Sequence, residues 1–260
     1  MPTVREIEQA LYEFAPKGLA AGWDNVGLLV GEPEQAVNAV LVALDVTQAV
    51  AEEAIAKGCD LIVAHHPIMN CKWLPVQTVR GDTPQGRLLS RLLRAEVSVI
   101  CMHTNLDTAA GGVNDALAAA LRVNDPGPLD EESGIGRVGE LSEAVPLAAF
   151  LETVKTALRP NGIRYVDGGR DVRRVAVGGG SCGDFVSQAL ERGCDTFVTA
   201  DLGYHQFLDA VPVGLNLIDA GHFPTENVVC PVVAQRLEGA FPGLPVVQSA
   251  VHGEVIQYYV

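Results

Sequence analysis

Two short segments, His103-Thr-Asn-Leu-Asp107 and His222-Phe-Pro-Thr-Glu226, each set a carboxylate four residues after a histidine. They stand 119 positions apart, each just past a mostly apolar run, Val97–Met102 and Leu215–Ala220, that reads as a buried strand. A third apolar run, Leu61-Ile-Val-Ala, ends on His65-His66-Pro67, so four of the six histidines follow buried strands and lie close to acids. Imidazole with carboxylate, and no obvious thiolate, suits zinc, iron, manganese, nickel or cobalt. A single structural zinc more often uses cysteines. Five or six nitrogen and oxygen donors exceed one tetrahedral site and point to two metal ions sharing a bridging carboxylate. Such pairs, about 3.5–4 Å apart, generate hydroxide at neutral pH and polarise a substrate.

The candidates differ in what else could explain them. An isolated His65-His66 pair is equally well a polar loop after a strand; the two His-x-x-x-acid segments elsewhere tip it towards metal. Pro67 pushes His66 towards extended geometry, so the two side chains need not keep opposite directions. Asp107 and Glu226 are the natural carboxylate ligands, although Asp107 also fits a cap and Glu226 also fits the positive end of a helix starting near Thr225. His103 is either a ligand or a residue that orients one. His205 follows Asp201-Leu-Gly-Tyr in a predicted loop and is a candidate proton carrier, equally well a surface histidine. His252, in a predicted turn, reads as structural. Trp23-Asp24-Asn25 is a candidate cleft lining. Gly178-Gly-Gly-Ser181 lacks the ending of a P-loop and reads as tight strand-to-helix packing. No Gly-x-Ser-x-Gly elbow supports a serine hydrolase.

These residues need a sheet to carry them. Strands are predicted at 27–30, 39–44, 60–64, 97–102, 163–166, 175–178, 195–199, 215–218, 245–249 and 254–258. Helices are predicted at 48–57, 84–95, 113–121, 147–158, 185–192 and 225–237. An amphipathic helix opens the chain, with Val4, Ile7, Leu11 and Phe14 on one face and a Thr3/Glu6 capping box. Alternating strands and helices imply βαβ units around a largely parallel sheet. Residues 123–136, rich in Asn, Asp, Pro, Gly and Glu, read as a linker.

The halves also match. Val40-Leu-Val-Ala-Leu-Asp…Ala54-Ile-Ala-Lys-Gly-Cys-Asp60 aligns without gaps to Val175-Ala-Val-Gly-Gly-Gly…Ala189-Leu-Glu-Arg-Gly-Cys-Asp195 at a spacing of 135. We read an internal duplication: two similar α/β domains, 1–125 and 126–260, with the last strand free to return to the first domain. Ligands of open α/β sheets bind beyond the carboxyl ends of the strands. A duplicated pair of domains can point two such edges at one cleft and gather the metal ligands there.

Composition narrows the classes. A formal net charge of −14 disfavours nucleic acid, which needs a basic surface. No run reaches the roughly 18 apolar residues of a membrane span, and the N-terminal helix is not a signal peptide. Six scattered cysteines without a C-x-x-C read as buried reduced thiols in a cytoplasmic protein.

In five segments the chain resembles a known family, the GTP cyclohydrolase 1 type 2 homologs or Nif-three-like dinuclear-metal proteins. They are Trp23-Asp-Asn-Val-Gly-Leu-Leu-Val-Gly31, His65-His-Pro-Ile68, His103-Thr-Asn-Leu-Asp107, Ala200-Asp-Leu-Gly-Tyr-His205 and Gly221-His-Phe-Pro-Thr-Glu226, in family order. The resemblance implies two α/β domains with a dinuclear centre in the cleft between them. It implies metal ligation by His65, His66, Asp107, His222 and Glu226, with His103 close by, and a ring-shaped homohexamer with a central cavity. The family name implies hydrolytic opening of the GTP imidazole ring with loss of formate. Phe223-Pro224 stand where the family often has Tyr or a small residue, a departure that spares the ligands and bears on access. Two readings follow: a hydrolase with two divalent ions per chain acting on a nucleotide or related small molecule, in which His103 or His205 moves protons, or a metal-stabilised ring-shaped scaffold without turnover.

Overall fold

A computed structural model describes residues 1–69 and 78–259. Over the first stretch the elements are α1 (Val4–Phe14), β1 (Gly27–Val30), β2 (Val40–Ala43), α2 (Gln48–Ala56), β3 (Leu61–Ala64), α3 (Pro84–Arg94), β4 (Ser98–Cys101) and α4 (Thr104–Thr108). The next stretch holds α5 (Val113–Ala120), β5 (Asn124–Pro128), β6 (Arg137–Val145), α6 (Leu147–Leu158), β7 (Arg164–Val166), β8 (Val172–Val177), α7 (Val186–Glu191), β9 (Thr196–Thr199), α8 (Tyr204–Ala210), β10 (Asn216–Asp219) and α9 (His222–Glu226). Then come α10 (Cys230–Ala240) and β11 (Val246–Gln248).

The chain divides into two compact units. One comprises Met1–Ala110 with Cys230–Gly253, the other Gly111–Val229 with Glu254–Val260. The expected boundary at 125/126 falls inside β5. Strand β11, within the expected 245–249 segment, pairs in parallel with β2, Val246 against Val40.

In the first unit the strand order is β1-β4-β3-β2-β11. Strands β4, β3, β2 and β11 run parallel, and β1 lies antiparallel on β4. Every residue of β2, β3 and β4 is buried, as parallel strands covered on both faces require. Leu41, Ala43, Ile62, Ala64, Val99 and Cys101 face one core with Leu88, Leu89 and Leu92 of α3. That helix starts well, with Thr83 accepting from Gly86 N–H at 3.0 Å and Pro84 in the first turn. The predicted capping box of α1 is present: Glu6 accepts from Thr3 N–H at 2.8 Å, and Thr3 Oγ1 accepts from Glu6 N–H at 3.3 Å.

The second unit repeats the plan in the order β7-β10-β9-β8-β6-β5. Strands β10, β9 and β8 are parallel, and β7 lies antiparallel on β10 as β1 does on β4. Alternation splits the sheet's side chains: Val175, Val177, Val198 and Ile218 pack with α6, while Ala176, Phe197 and Leu217 face a second core. The duplication is visible in single hydrogen bonds. Cys59 N–H donates to Ala54 O and Cys194 N–H to Ala189 O, both at 2.9 Å, after glycines with φ of +68° and +73°. Past the strands, Met102 N–H donates to Ala64 O and Ala220 N–H to Thr199 O, again both at 2.9 Å. Cys59, Cys101, Cys182, Cys194 and Cys230 are buried; Cys71 lies outside the described residues. Burial pushes the Cys194 thiol up to about 11, which keeps it protonated.

Four expectations need correction. The 123–136 segment contains β5, which pairs antiparallel with β6, a strand the sequence reading omitted. Residues 254–258 are irregular rather than a strand, and from Val255, 83% exposed, onwards they are exposed. The helix expected at 225–237 is instead α9, a 3-10 turn at Asn227–Val229, and α10. His205 sits in the first turn of α8, not in a loop. Among the described residues no helix is long and apolar enough to cross a membrane.

Candidate functional site

In the first unit His65 and His66 leave the carboxyl end of β3, and His103 leaves the adjacent end of β4. The parallel register of these strands, Ala64 beside Cys101, brings the three together. The ring centroids are 4.9 Å (His65–His66), 5.2 Å (His65–His103) and 5.6 Å (His66–His103) apart. One ligand atom from each lies within 4.8 Å of the others.

Each ring is turned by a partner at Nδ1. His65 Nδ1 is 2.8 Å from the Met102 carbonyl, His66 Nδ1 is 2.7 Å from Asp45 Oδ1, and His103 Nδ1 is 2.9 Å from both Asp24 oxygens. A carbonyl or an ionised carboxylate only accepts, so Nδ1 carries a proton, and the neutral tautomer with that proton has its lone pair at Nε2. That is the tautomer a metal-ligating histidine uses, with the other nitrogen donating to a carbonyl or carboxylate. Asp24 and Asp45 are held ionised for this task. Burial alone would raise Asp24; His103 and the Thr104 N–H and hydroxyl outweigh it and hold its pKa at about 2. For Asp45, too, burial is opposed by hydrogen bonds from His252 and His66, which keep it well below the usual carboxylate range.

Asp107 lies in the one-turn helix α4, which His103 precedes. Its Oδ1 is 3.6 Å from His65 Nε2. Two atoms each about 2.0–2.2 Å from one ion at a tetrahedral angle lie roughly 3.3–3.6 Å apart, so the spacing suits two ligands of a single cation. The donor set of the first unit therefore fits a divalent ion: lone pairs on imidazole Nε2 atoms and a carboxylate oxygen beside one of them.

In the second unit the same construction recurs at the end of β10. His222 and Glu226 occupy one turn of α9, with His222 Nε2 3.0 Å from Glu226 Oε2. The helix expected to start near Thr225 is preceded by α9, which starts at His222, so i,i+4 spacing joins the two side chains. His222 Nδ1 is 2.6 Å from Asp201 Oδ2. Burial would lower the His222 pKa, but the two carboxylates flanking the ring outweigh it and raise it to about 11. A proton and a cation are alternatives at Nε2, since either neutralises the facing Glu226 oxygen. Asp201 adopts a left-handed φ of +56°, at the strand end where a catalytic or binding residue is commonly strained. Buried Asp219 locks the arrangement: its carboxylate accepts from Leu202 N–H at 3.1 Å and Gly221 N–H at 3.0 Å, so one group fixes the turns carrying both Asp201 and His222.

Gly180 makes room for the carboxylate. A Cβ there would sit 2.1 Å from Glu226 Oε1, and its φ is +63°. Its N–H donates to Thr225 Oγ1 at 3.0 Å. The Gly178–Ser181 run is thus a wall for Glu226 as well as a packing turn.

His205 is not brought into these sets. It is exposed on α8 against Tyr204, and among the described residues the groups able to hold a cation do not include it. Trp23 is half exposed, with its ring 6.1 Å from that of His103. The sequence reading missed Asp45 and Asp201 and treated Asp24 only as lining. The signal available was position: Asp45 and Asp201 follow buried strands, as the histidines do.

The chain is similar to known proteins over nearly its whole length. A model of the Duf34/NIF3 (NGG1p interacting factor 3) family matches residues 2–254. A Streptomyces coelicolor protein named GTP cyclohydrolase 1 type 2 homolog is 38% identical over 251 residues, covering 92% of this chain and 86% of that protein. A Clostridium perfringens protein of the same name is 35% identical over 241 residues, covering 90% and 91%. Among solved structures, a hypothetical protein from Staphylococcus aureus superposes with a TM-score of 0.91 at 27% identity, covering 99% of both chains.

Proposed function

The chain belongs to the Duf34/NIF3 family, and from that premise we propose that it is a dinuclear-metal-dependent hydrolase acting on a nucleotide or a related small molecule. The observation that carries the proposal is the placement of four histidines at strand ends, each with Nδ1 on a carbonyl or carboxylate, so that Nε2 is the nitrogen turned to the Asp107 carboxylate in His65 and to the Glu226 carboxylate in His222. His65, His66 and Asp107 of the first unit, and His222 and Glu226 of the second, would hold two divalent ions per chain. The donor chemistry suits zinc, iron, manganese, nickel or cobalt. When bound, such ions supply Lewis acidity and make water nucleophilic near neutral pH.

The remaining chemistry belongs to the protein. His103 is the proton carrier in this reading. Asp24 stays ionised at Nδ1, holds the ring in place, and stabilises the imidazolium that forms when Nε2 takes a proton. Asp45 and Asp201 orient His66 and His222. GTP is the first substrate to test, because the relatives carry the name GTP cyclohydrolase 1 type 2 homolog. The assay follows GTP loss and formate release at defined metal loading.

A second reading, a metal-stabilised scaffold assembled as a homohexamer, is favoured by one observation. Tyr204, Leu208, Val211 and Val213 expose apolar side chains along and just past α8, as a surface that meets a partner does. Fully metallated protein that turns over no nucleotide would favour this reading over the hydrolase.

A further inference from the structure

We propose that His252 is a positioning residue for His66, acting through Asp45, and that it sets how tightly the His66 ligand holds its ion. The proposal rests on reading His66 as a ligand. The Asp45 carboxylate is shared between two histidines: Oδ1 is 2.7 Å from His66 Nδ1, and Oδ2 is 2.8 Å from His252 Nε2. His252 reaches it across 207 positions of sequence.

The other three orienting groups have their own anchors. His65 leans on the Met102 carbonyl, which the backbone fixes. Asp24 has a fully buried side chain and is also held by Thr104. Asp201 sits in the turn that Asp219 locks. Asp45 and Asp201 are the two exposed carboxylates, with side chains 39% and 44% exposed, but of the two only Asp45, just past the end of β2, has its second oxygen on another histidine. His252, only 9% exposed, takes that oxygen and restricts the carboxylate's rotation. With Oδ2 fixed, Oδ1 stays on His66 Nδ1, and the lone pair stays at Nε2.

The segment that delivers His252 is itself braced. Ser249 N–H donates to Val42 O at 2.8 Å, continuing the β11–β2 pairing. Ser249 Oγ and Ala250 N–H donate to Glu53 at 2.6 and 3.0 Å, and His252 N–H donates to Ser249 Oγ at 3.3 Å. The return of the chain's last strand to the first unit thus ends in a contact with a ligand's partner.

The test is competition of the reloaded full-length protein against a chelator of known affinity, with zinc as the probe, for wild type, His252→Ala, Asp45→Ala, the double variant and His252→Gln. We expect His252→Ala to weaken one of the bound ions about tenfold or more, with little change in the melting temperature of the metal-stripped protein. Asp45→Ala should weaken the same ion, and the double variant should lose no more than Asp45→Ala alone, because both changes break one chain of contacts. His252→Gln, which restores an N–H donor, should recover part of the affinity. The visible spectrum of the cobalt-loaded protein should shift in His252→Ala, because the His66 ring is released. Zinc affinity within about twofold of wild type in His252→Ala, or fully additive losses in the double variant, would overturn the proposal while leaving the metal reading intact. Wild-type protein that binds no metal would overturn both.

Discussion

Asp60 and Asp195 perform the same task in the two units. Asp60 Oδ2 accepts from the backbone N–H groups of Asn38 and Ala39 at 2.6 and 3.4 Å; Asp195 Oδ2 accepts from those of Arg173 and Arg174 at 3.0 and 2.8 Å. Each carboxylate closes the turn before its β-strand onto N–H groups at the start of the parallel neighbour, just before β2 for Asp60 and in the first half of β8 for Asp195. The register of the parallel pairs that carry the site is fixed from this end, opposite the histidines. Asp195 is buried and also accepts from the Thr196 hydroxyl at 2.8 Å, whereas Asp60 is half-buried.

Replacing Asp195 by Ala leaves two backbone donors near a buried position without their acceptor. The expected loss is about 2–4 kcal/mol, and about 1–2 kcal/mol for Asp60→Ala, where water can substitute. Urea unfolding of both variants checks this, and equal, negligible losses would contradict it.

Acid sensitivity should trace in part to Glu53. Burial alone would raise its pKa, but the Ser249 hydroxyl, the Ala250 N–H and the Lys57 ammonium outweigh it, so the folded value is about 2 against an ordinary 4.5. The folded carboxyl binds its proton less readily than the unfolded one. Its contribution is therefore complete above pH 4.5, declines as pH falls, and is gone below about 2. The Glu53 side chain is 6% exposed and Lys57 is 42% exposed. Discounting the screened ion pair leaves a contribution of about 2 kcal/mol. Glu53→Gln should accordingly lose less stability than wild type between pH 4.5 and 2. Parallel stability–pH curves for the two proteins would show that Glu53 plays no such part.

Gly180→Ala should damage the second unit's ligand set. The added Cβ would overlap Glu226 Oε1, and the left-handed backbone adds a cost of about 1–3 kcal/mol. We expect a lower melting temperature together with weaker metal binding. Gly58→Ala serves as a control for backbone strain, since it shares a left-handed φ but meets nothing within 4 Å. If both substitutions left metal affinity equally unchanged, Gly180 would not shape the Glu226 carboxylate.

The parts of this architecture legible in the sequence were those with strong local signals. Buried parallel strands such as Leu61–Ala64 are continuous apolar runs, and the Gly-Cys-Asp turns repeat outright. The histidines stand out because two of the runs are each followed by a His-x-x-x-acid segment, which turns an otherwise ambiguous His65-His66 pair towards metal. What escaped depends on pairing and on distance in sequence. Asn-Asp-Pro-Gly-Pro of β5 reads as a loop because proline cannot donate, yet it forms the end strand of its sheet, where a missing donor is tolerated. The reverse holds at 254–258, where Val255, Ile256 and Tyr258 mark β propensity without securing pairing. The acids that aim the histidines were hidden because their roles are contacts across 21 positions (Asp45–His66, Asp201–His222) and 79 positions (Asp24–His103). No spacing rule reports contacts of that kind.

Elemental analysis tests whether, as proposed, His65, His66, Asp107, His222 and Glu226 hold a pair of divalent ions. The protein would be stripped with chelator, reloaded, and freed of unbound ion by gel filtration. Wild type should hold about two ions per chain. Loading should fall towards one in Glu226→Gln, whose amide offers one neutral acceptor and two donors where a cation needs anionic oxygen. Circular dichroism should show the fold of that variant unchanged. Wild-type loading that never exceeds one ion per chain, or full loading of Glu226→Gln, would contradict the proposal.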